Sequence, residues 1–350
     1  MARHSLDLPC GSRVAVVCLI LGICSIAQAP GAQPSSPPSP AERVRFIREF
    51  SSAQDVRRPH PVLNKTLDII AGSKPIENPV EVLKTPFAVT TDSWHRIFVT
   101  DTGLGKVHIF DFDHSRYFTL GNSREGLGRP AGIAADRENN VYVTDSNSGA
   151  IRVFDSKGKF RRYLKESRGS ESYFQQPLGI AVDTATERIY VCDSSRHMII
   201  VLDKKGRVID RFGKRNGGAR PGEFRYPTQL VVSGGEITVL DSGNRRVQIL
   251  DSRGHFQREI QLGYADKDSG LAADADGKIY VSDSTVNQVR VFSHDGGLLY
   301  RIGHMGTQAG EFDGASGLWL DSGNCLYVVD ARNKRVQEFQ VAGPGAITCP

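Results

Sequence analysis

Six aspartates recur in the same local setting and are the first residues that could support chemistry. Each follows an apolar run and precedes a small residue, as in Tyr142-Val143-Thr144-Asp145-Ser146; the six are Asp101, Asp145, Asp193, Asp241, Asp283 and Asp330. One such carboxylate could act as a general base. Six equivalent copies are more economical as a structural device, because a carboxylate at a strand end can accept hydrogen bonds from backbone N–H groups of a turn. We therefore interpret these aspartates as structural.

The other residue types that support catalysis do not form a recognisable pattern. A zinc site would need several histidines to converge, but His197 and His304 lie in separate loops. Three more histidines occupy turns expected on the opposite or outer side: His95, His114 and His294. The chain has no Gly-x-Ser-x-Gly motif and no cysteine paired with a motif histidine. We therefore predict a protein that is not an enzyme and holds no cofactor or metal.

The aspartates also mark an internal repeat, with spacings of 44, 48, 48, 42 and 47 residues. A period in the forties is typical of β-propeller blades, each a four-stranded antiparallel sheet. Within a unit we identify an apolar strand with a glycine, the strand that ends in aspartate, an alternating strand and a polar, basic strand. Small residues in the first strand would let neighbouring backbones approach near the axis. The sequence predicts an all-β, six-bladed propeller with blades beginning at residues 86, 130, 177, 227, 268 and 314.

The last repeat lacks a fourth strand of its own. After Phe339 the chain turns into a segment with glycine and proline, whereas a matching strand pattern occurs at Arg43 to Phe50. An N-terminal strand at 42–50 would complete the last blade, close the ring and remove a free edge. One domain at 42–340 follows. It is predicted to include a short helix at 63–71, and a tail at 341–350 is predicted to follow it.

The repeats resemble NHL repeats over roughly residues 86 to 340. The resemblance rests on Pro-x-Gly-Ile-Ala-x-Asp at Pro130 to Asp136 and Pro177 to Asp183, on the Tyr-Val-x-Asp-Ser core, and on Val247 to Asp251. The chain layout is similar to that of exported bacterial six-bladed propellers. NHL-type propellers include RNA- and protein-binding platforms, receptor-kinase sensor domains and a metal-dependent amidating lyase. The resemblance therefore implies a fold and leaves the function open.

The N-terminal residues have the pattern of an export signal. Two arginines precede an apolar run from Val14 to Ile26, and small residues follow it, so we expect a signal peptide at 1–27. A lipoprotein signal ending at Cys24 is less favoured, because Ile23 precedes it where a small residue is preferred. Residues 28–41 are expected to form a disordered tether. No later segment has the length of a membrane span, so we predict a periplasmic or extracellular protein.

Export leaves three cysteines in the mature chain: Cys192, Cys325 and Cys349. Cys192 lies in an apolar strand, as a small buried hydrophobic residue would. Cys325 and Cys349 both lie in the last segment, and a disulfide between them would attach the C-terminal tail. Such a bond requires their Cα atoms to lie within about 7 Å of each other.

The basic side chains allow two interpretations. The net charge of +5 does not predict nucleic-acid binding, which requires a concentrated patch. Basic runs at 157–165 and 204–220 cover predicted fourth strands, where charge opposes edge-to-edge aggregation. A solvated edge is the preferred interpretation, and a patch for an anionic glycan, a lipid headgroup or a protein is the alternative.

The remaining candidate surface bears the loops between blades and the loops after each aspartate. Such loops can vary without disturbing the sheets. The candidate binding residues are Arg129, Arg196, His197, Tyr226, Arg245, Arg246, Asn287, Arg332 and Lys334. We predict an exported, monomeric, non-enzymatic scaffold that binds a protein or an anionic polymer through this face. The alternatives are a metal-dependent enzyme of the lyase or lactonase type and an RNA- or protein-binding platform, although export argues against nucleic acid.

Overall fold

A computed structural model describes residues 43–56, 81–121, 126–164, 174–263, 268–342 and 349. These residues form six four-stranded antiparallel sheets, each with neighbouring strands in hydrogen-bonded order. The predicted all-β, six-bladed propeller is therefore confirmed. The predicted signal peptide, lipidation site, tether and short helix lie outside the described residues.

The strands follow in chain order after β1 (Val44–Phe50). Blade 1 contains β2 (Pro86–Thr91), β3 (Ile97–Asp101), β4 (Lys106–Asp111) and β5 (Arg116–Leu120); blade 2 contains β6 (Pro130–Ala135), β7 (Val141–Asp145), β8 (Ala150–Phe154) and β9 (Phe160–Leu164); blade 3 contains β10 (Pro177–Asp183), β11 (Arg188–Asp193), β12 (Met198–Leu202) and β13 (Val208–Gly213). Blade 4 contains β14 (Pro227–Ser233), β15 (Glu236–Asp241), β16 (Arg246–Asp251) and β17 (Phe256–Gln261); blade 5 contains β18 (Asp268–Ala273), β19 (Ile279–Asp283), β20 (Gln288–Phe292) and β21 (Leu298–Ile302); blade 6 contains β22 (Ala315–Leu320), β23 (Cys325–Asp330) and β24 (Arg335–Val341).

Single 3-10 turns follow β11 and β15, at Ser194–Arg196 and Ser242–Asn244. In the part of the chain that the structure describes, no helix combines the length and apolar character needed to cross a bilayer.

Strand β1 closes the ring. It pairs antiparallel with β24, from Val44 opposite Val341 to Phe50 opposite Val336. This pairing gives blade 6 the strand order β1-β24-β23-β22, so the predicted N-terminal closure is confirmed. The first strand of the described chain thus protects the edge that the last repeat would otherwise expose.

The first strands of the blades surround one axis, because each lies beside the first strands of both neighbouring blades. Glycine is required where they come closest. A Cβ atom at Gly132 would lie 2.2 Å from the Leu178 carbonyl oxygen, and one at Gly270 would lie 2.0 Å from the Ser316 carbonyl oxygen. Both separations are shorter than real Cβ contacts, so the glycines in this strand pattern permit the close approach expected near the axis.

A hydroxyl group just before the repeated aspartate links neighbouring blades. Thr144 Oγ1 donates to the Leu178 carbonyl of blade 3 at 2.7 Å and accepts from the Gly132 N–H at 2.7 Å. Ser282 makes the equivalent bonds between blades 5 and 6, at 2.6 and 2.8 Å. Neighbouring blades are therefore joined by buried hydrogen bonds as well as by apolar packing.

The core lies between the apolar faces of neighbouring sheets. One aromatic residue on the second strand is buried in five blades: Phe98, Tyr142, Tyr190, Tyr280 and Tyr327. In three of those blades the tyrosine hydroxyl donates to a carboxylate in the turn between the first and second strands, on Asp136, Asp274 and Asp321. These bonds satisfy the phenol groups that packing removes from water.

Candidate functional site

Five of the six repeated aspartates bond the loops at one end of the propeller in the part of the chain that the structure describes. We call this end the loop face, and it consists of the loops that enter the first strands and the turns between the second and third strands. Asp145 accepts from the N–H groups of Gly128 and Arg129 in the entering loop, both at 2.9 Å, and from Asn147 in the turn at 3.2 Å. The same bond from an entering loop reaches Asp101, Asp193, Asp241 and Asp330. Each of these carboxylates ties its entering loop to the end of the second strand.

The environment of two of these carboxylates, Asp101 and Asp145, favours the ionised form. Burial by itself would raise the pKa of Asp145, but bonds from the Gly128 and Arg129 amides outweigh it and hold the pKa below its ordinary value of 3.8. Burial also opposes ionisation of Asp101, whose pKa is lowered by His108 and by backbone N–H groups. A carboxylate saturated with donors in this way is suited to holding loops rather than to accepting a substrate proton.

Each aspartate also faces a cationic or titratable side chain of its own blade. The partners are His108, Arg152, Arg196, Arg246, Arg290 and Arg335, at nitrogen–oxygen separations between 2.8 and 3.7 Å. None of these six side chains is more than 20% exposed. Because a buried charge left without its partner is strongly destabilising, these pairs belong to the scaffold.

Two of the predicted binding residues, Arg246 and Asn287, have buried side chains. Arg246 is 4% exposed; its Nε donates to Asp241 at 2.9 Å and its Nη1 to Glu259 at 2.7 Å. Asn287 is 5% exposed, and its Oδ1 accepts the Gly314 N–H at 2.7 Å. The prediction that Arg246 and Asn287 contribute to a solvent-facing binding surface is wrong, because both side chains point inward to satisfy loop and strand groups.

The other seven predicted residues lie on the loop face and differ in how exposed they are to solvent. The exposed ones are Arg129, Tyr226, Arg245, Arg332 and Lys334, whereas Arg196 and His197 are half-buried. Arg196 Nη1 donates to Asp193 at 3.1 Å, and Arg332 Nη1 donates to Asp313 at 2.8 Å. The structure therefore places these seven on one end of the ring but does not gather them into a single cluster.

A left-handed backbone is common among these residues. His197, Arg245, Asn287 and Lys334 occupy the same turn position in four blades, with φ between 53° and 59°. Blades 1 and 2 have Gly105 and Gly149 there, each with φ of 63°. The conformation costs a non-glycine residue about 1 kcal/mol. Because the left-handed conformation recurs at this position in all six blades, it belongs to the turn that follows each repeated aspartate.

Two loops of this face are anchored by side chains of which only Arg246 is among the predicted site residues. We call residues 214–226 the 3–4 loop and residues 303–314 the 5–6 loop. Asn244, Arg246 and Gln248 donate to carbonyl groups of the 3–4 loop. Asn333, Arg335 and Gln337 do the same for the 5–6 loop. The recurring Asn-x-Arg-Val-Gln pattern is the sequence signal for these anchors.

Tyr226 and His197 join the 3–4 loop to the adjacent turn of blade 3. Their ring centroids are 4.5 Å apart and nearly perpendicular. His197 Nδ1 accepts the Tyr226 N–H at 3.1 Å, so the neutral imidazole carries its proton on Nε2. Tyr226 is 52% exposed and precedes the first strand of blade 4. An aromatic side chain is thus held in place at the loop face while much of its surface stays in water.

Among the described residues, one group of metal-ligating side chains is close enough to share an ion: Cys325, Glu338 and Cys349. Cys325 and Cys349 are joined by a disulfide with their Cα atoms 5.6 Å apart, so their sulfur atoms are not thiolate ligands. Cys192 is free but buried, and burial raises the pKa of its thiol well above the ordinary value. None of these three cysteines therefore offers an exposed thiolate as a ligand or nucleophile.

Comparisons with known proteins agree with this architecture. A family model described as 6-bladed beta-propeller matches residues 180–269 and 267–345, and an NHL repeat model matches residues 127–154. Together with the six blades described above, these matches define the class of protein. The chain is a six-bladed β-propeller, and part of it matches the NHL repeat.

Curated relatives match this chain over short stretches. The protein brain tumor of Drosophila melanogaster is 31% identical over 136 residues, which are 38% of this chain and 13% of that protein. Peptidyl-glycine alpha-amidating monooxygenase B of Xenopus laevis is 30% identical over 129 residues, with shares of 32% and 14%. Human E3 ubiquitin-protein ligase TRIM32 is 33% identical over 96 residues, with shares of 23% and 14%. The chain thus spans less than a sixth of the length of these relatives.

Solved structures share the fold at low sequence identity. A streptogramin B lyase matches with a TM-score of 0.55 and 10% identity, covering 76% of this chain and 85% of that one. An auxiliary nutrient binding protein from Bacteroides thetaiotaomicron matches with a TM-score of 0.57 and 11% identity, covering 76% and 71%. At these identities the likeness shows the propeller fold alone.

Proposed function

We propose that this protein is an exported, non-enzymatic scaffold that binds a protein partner through the loop face. The observation that carries the proposal is the contrast between fixed loop backbones and exposed loop tips. Side chains from blades 4 and 6 hold the carbonyl groups of the 3–4 and 5–6 loops. Tyr226 remains 52% exposed and Met305 70% exposed on those loops. Preorganised aromatic, methionine and arginine side chains are the groups enriched in protein interfaces.

Two further observations support a protein partner in an oxidising compartment. Relatives of this chain include E3 ubiquitin-protein ligases of Homo sapiens, whose name states that they act on proteins. The Cys325–Cys349 disulfide suits an exported chain, because disulfides persist in oxidising compartments. The apolar run from Val14 to Ile26 would provide the export signal.

Capture experiments with paired variants test the face. The mature protein, immobilised and incubated with envelope extract, should retain a defined partner that mass spectrometry identifies. Tyr226→Gly together with Met305→Ala should abolish retention. Trp94→Ala together with His294→Ala, in turns at the opposite end of the blades, should leave it intact. Loss of the partner only in the second variant would contradict the proposed face.

A metal-dependent lyase is the second candidate function, and the similarity to the amidating monooxygenase of Xenopus laevis favours it. Such an enzyme would require a tightly held metal ion. Within the described part of the chain, no histidine belongs to a cluster that could hold one. Elemental analysis of purified protein decides between the candidates. We expect well under one zinc per chain, and one tightly bound zinc that survives dialysis would favour the enzyme.

A further inference from the structure

The 3–4 and 5–6 loops share the same pattern of hydrogen bonds, so the two loops can be compared position by position. Gly218 and Gly306 each donate to the carbonyl of the buried phenylalanine farther along their loop, both at 3.1 Å. Gly222 and Gly310 each donate to the glutamine of the anchoring strand, at 2.9 and 2.8 Å. Residues shared by both loops are therefore the ones that the fold uses. Exposed residues that differ between them are not dictated by the anchors.

The exposed residues of the two copies differ in charge. The 3–4 loop and the adjacent turn of blade 4 carry five cationic side chains and one carboxylate: Lys214, Arg215, Arg220, Arg225 and Arg245, with Glu223. The 5–6 loop and the turn of blade 6 carry two of each sign: Arg332 and Lys334, with Glu311 and Asp313. We call the first set the basic loop patch. Since identical anchors support a neutral surface in blade 6, the fold does not require this excess of positive charge.

One pair of equivalent positions shows the difference directly. Asp313 and Arg225 each donate a backbone N–H to the repeated aspartate of their blade, at 2.7 and 2.6 Å. In blade 6 the Asp313 carboxylate pairs with Arg332 at 2.8 Å. In blade 4 the residue corresponding to Arg332 is Gly243, which packs against Arg225 and offers it no side chain. The neutral ion pair of blade 6 is thus replaced by an exposed arginine.

Tyr226 also differs from the residue at the equivalent position of blade 6. It has a φ of 49°, and the corresponding residue of blade 6 is Gly314, with a φ of 77°. Glycine adopts this region without steric cost, whereas tyrosine does not. A strained, exposed tyrosine therefore occupies a position where the same fold accepts glycine. It stands beside Arg225 and contacts His197.

We propose that the basic loop patch, together with Tyr226 and His197, is a binding hot spot for an acidic segment of a partner protein. This inference rests on the proposed binding function of the loop face. Arginine guanidinium groups bind carboxylates in bidentate geometry, and an exposed tyrosine beside them supplies apolar contact at low entropic cost. Because the cations are confined to two neighbouring loops, the patch fits a short acidic peptide better than a long polyanion, which requires an extended track of charge.

A peptide titration tests the hot spot with a defined probe. The full mature protein is titrated against a fluorescein-labelled Glu-Glu-Leu-Glu-Glu-Leu-Glu-Glu peptide, and fluorescence anisotropy is measured at about 50 and 300 mM salt. Arg225→Glu with Arg245→Glu should weaken binding at least about tenfold and remove its salt dependence. Arg137→Glu with Arg253→Glu, two exposed arginines in turns at the opposite end of the blades, should change it less than about twofold. Tyr226→Gly should weaken binding about tenfold while the melting temperature stays level or rises.

Each contrary outcome has a distinct meaning. Equal loss in the opposite-end control would show that general charge, not this patch, binds the peptide. Failure of the wild-type protein to bind the peptide, or tighter binding of a heparin-derived oligosaccharide or a ten-nucleotide RNA, would overturn the acidic-segment assignment. The proposed function would survive either result if envelope capture still depended on Tyr226 and Met305. It would fail separately if capture depended on the opposite face.

Discussion

Replacing Arg48 with methionine should weaken the joint that closes the ring. Arg48 lies on β1, and its Nε donates to Glu338 Oε2 on β24 at 2.6 Å. The Glu338 side chain is completely buried, whereas Arg48 is 26% exposed. The guanidinium carbon also lies 4.1 Å from the centroid of the Phe112 ring of blade 1. One side chain therefore bonds the closing strand to blade 6 and packs on the neighbouring blade.

The expected loss follows from the carboxylate that the substitution leaves behind. Removing one member of a buried ion pair costs about 3–5 kcal/mol, because the remaining charge has no partner. The contact with Phe112 adds about 0.5–1 kcal/mol. Since Arg48 keeps part of its surface in water, we take the lower end, about 3 kcal/mol. At the roughly 2 °C per kcal/mol typical of a large domain, the melting temperature should fall by about 6 °C.

The loss should depend on pH in a defined direction. Burial raises the pKa of Glu338 above its ordinary value of 4.5, although Arg48 opposes the rise. A carboxyl group with a raised pKa in the folded state favours folding when it is protonated. That contribution is present below the unfolded pKa and disappears as pH rises through the folded pKa. Without Arg48 the folded pKa rises further, so the difference between variant and wild type should be small near pH 4.5 and should grow toward pH 8.

Thermal unfolding followed by circular dichroism at both pH values measures this effect. Arg45→Met on the same strand is the matched control, because Arg45 is exposed. Adding Glu338→Gln to Arg48→Met should recover most of the lost stability, since the buried charge is gone. A pH-independent loss, an equal loss in the Arg45 variant, or no recovery in the double variant would refute the reasoning.

Three other perturbations test the fold. Gly270→Ala should lower the melting temperature by several degrees, because its Cβ would lie 2.0 Å from the Ser316 carbonyl oxygen. Gly297→Ala, whose Cβ would meet a side-chain oxygen at 3.2 Å, should have little effect. Similar shifts in the two variants would contradict the close approach near the axis. Cys349→Ser should lower the free energy of unfolding by about 3 kcal/mol, because it opens a cross-link over 24 residues. Reductant should not change the melting temperature of this variant. A difference between wild type and variant that persists in reductant would argue against the bond. Deletion of residues 41–50 should reduce stability more than any of these substitutions, and an unchanged melting curve would exclude ring closure by β1.

The blade number and the closing strand follow from the sequence because both depend on local pattern. The spacing of the aspartates reports the repeat directly. The segment Arg43 to Phe50 shares the alternation of an outer strand, so its place in blade 6 can be inferred without knowing any contact. The close packing around the first-strand glycines is also a local consequence, since only one residue type fits there.

The candidate site is less accessible to sequence reasoning because it depends on where strands begin and on what loops require. Arg245 and Arg246 are neighbours of the same type, yet the first is exposed and the second is 4% exposed. Strand β16 begins between them, and a one-residue step reverses the side-chain direction. Arg246 points inward because it donates to carbonyl groups of the 3–4 loop, and those groups lie 23 and 26 residues away in the chain. A single strand does not report this requirement; only the recurrence of Asn-x-Arg-Val-Gln in blades 4 and 6 indicates it.

The way these loops are anchored explains how one fold can carry different surfaces. Asn244, Gln248 and their blade 6 counterparts bind backbone carbonyls of the loops, and a backbone carbonyl is present whatever the side chain. The exposed residues can therefore change without disturbing the anchors, as the replacement of an Asp313–Arg332 pair by Arg225 and Gly243 illustrates. Rigid loops with variable tips lose little entropy on binding. Selection can thus act on the charge and aromatic content of the loop face while the six-bladed ring remains the same.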